Sequence, residues 1–174
     1  LLVMGLPVKD MKVGPADSRS LPLTAESRQV QETLEQHFAA GEIVPITVVA
    51  RTRFELTESN SIAALYKLSA DIAALPGVAH VTGLTSLDPA LTLADYQLMY
   101  RNPEAFPQAA AALQEFGRGQ TSVLYVHFQA SPTSDAARGL VARIRALPLS
   151  DGLQDIQVGG FPAFHLDYLD TLRE

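Results

Sequence analysis

Hydrophobic and polar positions alternate along this chain with two periods, one typical of helices and one typical of strands. After Thr24, a candidate N-cap, the sequence predicts an amphipathic helix that is ended by Gly41. The apolar residues of this helix return at every fourth position: Val30, Leu34 and Phe38. Residues 43–50, IVPITVVA, then predict a strand buried on both faces, with Pro45 confined to its first residues because proline cannot donate to a ladder.

A second helix is predicted over residues 61–75, after a cap at Ser59 or Asn60. Its apolar side consists of Ile62, Leu65, Tyr66, Ile72 and Leu75. The Pro-Gly pair at 76–77 ends this helix, and residues 78–84 predict the next strand.

Residues 85–119 predict an insertion made of helical pieces. Thr92 and Asp95 have the spacing of a capping box, in which each residue satisfies the other's backbone N–H. An Ala-rich helix opens on a proline, covers residues 107–116, and is ended by Gly117.

The last third of the chain predicts a strand, a helix, a strand and a helix. TSVLYVHFQ over residues 121–129 has the clearest strand pattern, and Pro132 is expected at the first position of the following helix. The apolar stripe of that helix is Ala137, Leu140, Val141, Ile144 and Leu147. Pro148 ends it, residues 154–158 predict a short strand, and a final amphipathic helix follows a Gly-Gly pair.

A short repeat organises these elements. The motif I-x-A-L-P occurs at 72–76 and at 144–148, each time ending a helix between two strands. Two tandem strand–helix–strand units predict an α+β fold, a ferredoxin-like βαββαβ sandwich whose antiparallel sheet is backed by helices. We therefore expect a lead-in and first helix over 1–42, a βαβ-βαβ domain over 43–160 and a last helical segment over 161–174.

Composition narrows the function classes. The 174 residues include no Cys, so thiolate metal sites, iron–sulfur clusters and cysteine nucleophiles are excluded. The net charge of −6 argues against a nucleic-acid partner, because phosphates require basic surfaces. Neither a P-loop nor a G-x-S-x-G motif is present. The pattern and composition point to no cofactor, no metal site and no enzyme.

Four histidines are the candidate metal or proton-transfer residues. His37, His80, His127 and His165 are separated by about forty residues each, and none forms a local HxxxH pair. We expect each to be a half-buried, hydrogen-bonded residue rather than a ligand.

Two carboxylate pairs have helical i, i+3 spacing, Glu32 with Glu35 and Asp167 with Asp170. Acid–base catalysis needs two carboxyl groups in contrasting environments, and both pairs are more typical of solvated helix faces. Asp167, Asp170 and His165 remain one alternative, a small catalytic group that would have to converge in a cleft.

Several motifs, in order, resemble one transporter family. The chain is similar throughout to the first extracytoplasmic domain of MMPL-type transporters, which belong to the resistance–nodulation–division (RND) superfamily. The motifs that carry the resemblance are LPVKDMKVGPADSRSLP, a polar helix ending in Phe38, Pro-Ile-x-Val-Val, LPGVAHVTGL, TSVLYVHF, IRALP and VGGFPAFHLD.

The resemblance implies a non-catalytic porter domain between the first and second membrane helices of a proton-driven exporter. It implies a location on the extracytoplasmic side, periplasmic or extracellular, and a role in the export of lipidic or other hydrophobic substrates. The implied partners are the membrane helices and a second porter domain of the same parent protein. On this reading Leu1 to Leu6 is the end of the first membrane helix, and 161–174 leads toward the second.

Two departures from the family leave its site residues unassigned. Phe161 and Pro162 follow the double glycine where relatives often carry a small hydroxyl residue, and the insertion at 85–119 has no residue-by-residue counterpart. The substrate-binding residues are therefore unknown. The alternative from another class is a free-standing ferredoxin-like module that binds ligands or proteins through its sheet.

Overall fold

The computed structural model describes residues 21–38 and 40–171. Most of the predicted N-terminal lead-in, with Leu1 to Leu6, lies outside these residues. The elements in chain order are α1 (Glu26–His37), α2 (Ala40–Ile43), β1 (Ile46–Thr52), α3 (Ser59–Ala73), β2 (Val78–Thr82), α4 (Leu93–Arg101), a 3-10 turn (Pro103–Ala105), α5 (Pro107–Phe116), β3 (Gly117–Arg118), β4 (Thr121–Phe128), α6 (Asp135–Arg145), β5 (Leu153–Gly159) and α7 (Phe161–Thr171).

The sheet has the strand order β2-β4-β1-β5, and every pair in it is antiparallel. The two-residue β3 forms a hairpin with the start of β4. Among the four longer strands, β1 and β2 run in the same direction with β4 between them, which is the split-βαβ arrangement. The predicted α+β class and ferredoxin-like sandwich are confirmed.

Helices α3 and α6 supply much of the helical layer over one face of the sheet. Ile72 and Ile144, the first residues of the two I-x-A-L-P motifs, are both completely buried. They join Val48 of β1 and Leu124 of β4, which lie opposite each other in the register. The repeat in the sequence therefore corresponds to two equivalent helix ends that close one hydrophobic core.

Strand β1 differs from its prediction. It begins at Ile46, after Pro45, and its residues alternate between buried and more exposed positions. Val48 and Ala50 face the helices, whereas Arg51 is exposed on the other side of the sheet. The expectation of a strand buried on both faces was wrong, because the described helices pack on the face that carries Val48 and Ala50, and Arg51 on the other face stays exposed.

The predicted insertion is present as α4, the 3-10 turn and α5, between β2 and β4. Its capping box is confirmed: the Thr92 hydroxyl accepts from the Asp95 N–H, and the Asp95 carboxylate accepts from the Thr92 N–H at 2.8 Å. The Tyr100 hydroxyl donates to the Leu84 carbonyl at 2.5 Å, and Tyr96 bonds the backbone of Asp88. Tyr100 thus attaches the insertion to the residues that follow β2, and Tyr96 fixes the first loop of the insertion to α4.

Four predicted helix boundaries are corrected. Helix α3 begins at Ser59 after Glu58, so neither Ser59 nor Asn60 is its cap. Helix α1 follows Ala25 and ends at His37, so Thr24 does not cap its start and Gly41, which lies in α2, does not end it. Helix α6 begins at Asp135 because Ser134, not Pro132, supplies the N-cap oxygen that accepts from the Ala137 N–H.

Gly117 does end α5, but in an extended conformation with φ of −143°. It therefore starts the β3 hairpin rather than adopting the left-handed geometry common at helix ends.

Within the described residues, every helix is too short or too polar to cross a bilayer.

Candidate functional surfaces

Helix α7 separates the residues of the catalytic alternative. His165 is 5% exposed, on the side of α7 that faces the core, whereas Asp167 lies two residues further on and points outward. Residues two apart on a helix point in nearly opposite directions. Arg145 of α6 binds both Asp167 carboxylate oxygens, at 2.7 and 3.0 Å. The structure therefore does not bring His165 and Asp167 to one reaction centre.

The ion pair between Arg145 and Asp167 fixes α7 against α6 and β5. A hydrogen bond from the guanidinium lowers the pKa of Asp167, and the same bond raises the pKa of Arg145. Arg145 also donates to the Val158 carbonyl at 3.1 Å, which connects the pair to β5. These bonds assign Asp167 a structural role, and Asp170 exerts a weaker electrostatic influence on Arg145.

The other predicted carboxylate pair lies on α1. Glu32 accepts from Arg28 at 2.9 Å one turn earlier, as expected for a solvated helix face. The side chain of Glu35 lies outside the described part of the structure. His37, on the same helix, is exposed, and its Nδ1 lies 2.9 Å from the Thr33 carbonyl.

An open groove of about 470 Å³ lies between the first half of α3 and the loop that precedes β5. Gly152 makes this close approach possible, since a Cβ there would lie 2.6 Å from the Ala64 Cβ. Phe54 lines the groove and is 45% exposed, and the buried Ser150 hydroxyl has no hydrogen-bond partner among the described residues. Lys67 adds an ammonium group, which is paired with Asp71 at 2.8 Å.

This groove can accept a small amphipathic molecule. The exposed ring of Phe54 offers apolar contact area, and the lining side chains of Asn60 and Asp151 offer polar contacts. Its volume falls within the range of ligand sites, but its openness leaves much of any ligand in contact with water.

Two histidines stack on each other on the sheet face that α3 and α6 leave uncovered. His80 of β2 and His127 of β4 are register partners, and their rings stack with centroids 4.2 Å apart and planes 10° apart. The sequence interpretation treated these histidines as isolated and missed the pair. The expected hydrogen bond is also missing for His127, because its buried Nδ1 has no partner in the part of the chain that the structure describes.

Helix α7 carries an exposed aromatic stripe. Phe161, Phe164 and Tyr168 lie at i, i+3 and i+7, and each is at least 39% exposed. The rings of Phe164 and Tyr168 stack at 6.2 Å. Ala163, on the opposite side of the helix, is buried against the domain, and so is His165, whose ring stacks on that of Phe161 with centroids 6.3 Å apart. The aromatic stripe therefore lies beside the buried surface of α7 and is left exposed by the described residues.

Residues 21–38 and 40–171 contain no group of three His, Asp or Glu side chains that could hold a metal ion.

Comparison with known proteins gives one partial relationship. No model of a protein family matches the chain. A Streptomyces coelicolor protein, which its name describes as a membrane protein, is 38% identical over 66 residues. The matched region is 37% of this chain and 9% of that protein, so more than nine tenths of the relative lies outside it. The chain is therefore similar, over part of its length, to a small region of a much longer protein.

Proposed function

We propose that this chain is a non-catalytic extracytoplasmic porter domain of a proton-driven, MMPL- or RND-type exporter. In this role it forms part of the route for lipidic or other hydrophobic substrates. It works with the membrane helices and a second porter domain of the same parent protein.

The observation that carries the proposal is the placement of the family-like motifs in the fold. LPGV leads from α3 into β2, IRALP ends α6 ahead of β5, and VGG leads from the end of β5 into α7, so all three motifs lie at junctions between a helix and the sheet. This placement supports the proposal, because the motifs that carry the resemblance coincide with the organisation of a two-unit βαβ domain.

The similarity to part of a Streptomyces coelicolor protein also supports the proposed role. A domain that is similar to a small region of a long protein named as a membrane protein is expected to work as one part of a larger assembly. The proposed substrate class rests on the resemblance, and the groove beside Phe54 supplies an exposed apolar surface suited to it.

Photo-crosslinking in the full-length parent protein tests the proposed route. A benzoyl-phenylalanine in place of Phe54 reports on the groove, and the same residue in place of Leu98 is the matched control. Leu98 is 60% exposed on α4 and does not line the groove. We expect lipid adducts in intact cells at position 54 and few at position 98. Equal lipid labelling at both positions, or none at position 54, would contradict a route through this groove.

A free-standing binding module remains the second candidate, and the uncovered sheet face favours it. Thr47, Val49 and Tyr125 lie on that face and are only partly buried, so a ligand or protein could bind there. Cell fractionation separates the two candidates. The transporter proposal expects the native protein in membranes that resist alkaline extraction, whereas the module expects it in the soluble fraction.

A further inference from the structure

The histidine stack, formed by His80 and His127, joins the edge strand of the sheet to its neighbour. Strand β2 has five residues, pairs only with β4 among the described strands, and shifts register between Val78 and His80. A short edge strand with an irregular register has few ladder hydrogen bonds to hold it. The contact between the two rings therefore adds to the few contacts that hold β2, beside the burial of Val81 in the core.

The two rings differ in their surroundings. His80 is exposed to solvent, whereas His127 is half-buried and its Nδ1 is completely covered. A covered Nδ1–H without an acceptor is poorly suited to carry a positive charge, because burial removes the water that would stabilise it. The neutral ring has no such charge to solvate.

The charges around His127 are few. His80 faces it from β2, and Glu42 acts on it from α2, which packs against the end of β4 at Gly41 and Phe128. On the other side of β4 the nearest register positions of β1, Ile46 and Thr47, are uncharged.

The remaining elements packed on β4 add no charge to this environment. Helix α3 contributes its apolar side to the core on the opposite face of the sheet, α5 contacts β4 through Phe116 and Tyr125, and β3 pairs with the far end of β4. Burial and His80 lower the pKa of His127, and the weaker influence of Glu42 opposes them.

We propose that the histidine stack is an acid-sensitive contact, which holds β2 against β4 while the His127 ring is neutral and releases β2 when acid protonates that ring. Two positively charged rings at this separation would repel each other, and none of the described residues supplies an acceptor for the buried N–H. The contact lies close to the insertion, because Leu84, two residues after the end of β2, accepts the Tyr100 hydrogen bond. This device does not depend on the transport proposal.

The direction of the pH effect follows from linkage. The unfolded chain takes up a proton near the ordinary histidine pKa of 6.5, whereas His127 in the folded chain resists protonation until lower pH. The stabilising contribution is therefore complete above pH 6.5 and is lost as the pH falls through and below that value. Above neutral pH the stack should be insensitive to further change.

Hydrogen exchange of the 174-residue chain tests the proposal. Protection of the β2 amides, corrected for intrinsic exchange, is measured at about pH 7.5 and about pH 5.0, with β5 as the internal reference. We expect β2 protection to fall several-fold at the lower pH, because the unfolded chain takes up a proton that the folded stack resists, and β5 protection to fall much less. Equal changes in β2 and β5 would overturn the proposal.

Three variants identify the residues responsible. His127→Gln should abolish the selective loss of β2 protection, and His80→Gln should reduce it, since only one ring is then left to be charged. His37→Gln, at an exposed histidine on α1, should retain the full loss. If His127→Gln fails to fold, hydrogen exchange of the His80→Gln variant decides whether the stack causes the effect, because His80 is exposed and its replacement is tolerated more easily. A selective loss of β2 protection that persists at full size in His80→Gln, or that disappears in His37→Gln, would refute the stack as its origin.

Discussion

Tyr100 provides the sharpest test of how the insertion is held to the sheet. Its side chain is completely buried, and its hydroxyl donates to the Leu84 carbonyl at 2.5 Å. Burial and nearby Tyr96 raise the pKa of Tyr100 above its ordinary value, so the hydroxyl stays protonated and remains a donor at neutral and mildly alkaline pH. Tyr100→Phe removes this donor and keeps the aromatic ring in place.

The expected cost follows from the carbonyl that is left behind. A buried acceptor without a partner costs about 1–3 kcal/mol, which for a chain of this size lowers the melting temperature by about 2–12 °C. Urea unfolding followed by circular dichroism gives the free energy of unfolding, and an unchanged slope against urea shows that the comparison is valid.

Tyr66→Phe is the matched control for Tyr100→Phe. Tyr66 lies on α3 with its ring 6.0 Å from that of Tyr96, but its hydroxyl makes no hydrogen bond to the described residues. We expect this variant to change the free energy of unfolding by less than about 0.5 kcal/mol. Equal losses in both variants, or no loss in Tyr100→Phe, would refute the role given to the buried hydrogen bond.

Three further substitutions test other contacts, each by urea unfolding. Gly152→Ala should lower the free energy of unfolding by about 1–3 kcal/mol, because its Cβ overpacks against the Ala64 Cβ. Ala64→Gly in the same chain should recover part of that loss in a double-mutant cycle. Strictly additive losses of the two substitutions would contradict the contact. Asp167→Asn should lower the free energy of unfolding by less than about 1 kcal/mol and have no effect in high salt, because its ion pair is largely exposed. A loss above about 2 kcal/mol would contradict an exposed, screened ion pair. Ser134→Ala should cost about 1 kcal/mol through loss of the N-cap, whereas neighbouring Thr133→Ala should cost little; equal effects would count against the assigned cap.

The architecture could be predicted because its signals extend over many residues. The apolar stripe of α6 includes Leu140, Val141 and Ile144, and all three are buried as their spacing requires. The repeated motif then related α6 to α3, and two strand–helix–strand units leave few ways to build one sheet. The strand order follows from placing two strand–helix–strand units in one sheet, together with the hydrophobic pattern of the strands and helices.

Details decided by competing local signals could not be predicted in the same way. Pro132 and Ser134 are both acceptable at a helix start, and the choice depends on whether the serine hydroxyl reaches the N–H three residues later. For β1, an apolar sequence is compatible with burial on one face or on both. The number of covering layers is a tertiary property that the strand itself does not encode.

The histidine stack illustrates a different limit. The strands containing His80 and His127 were both predicted, and the ferredoxin-like order makes these strands neighbours. Bringing the two rings together also requires the register, which shifts between Val78 and His80. Because a slip by one residue moves every side chain to the opposite face, the pair could not be identified without that irregularity.

The central claim is that this domain lies outside the cytoplasm as part of a membrane exporter, and cysteine labelling in intact cells tests it most directly. The chain has no Cys, so Ala111→Cys introduces a single exposed thiol on α5 into a parent protein cleared of other cysteines. Ala112→Cys, at a position only 4% exposed, is the control for labelling that requires unfolding. The account predicts that a membrane-impermeant maleimide labels the Ala111→Cys protein in intact cells and leaves the control unlabelled. Labelling of Ala111→Cys only after the cells are broken would contradict it.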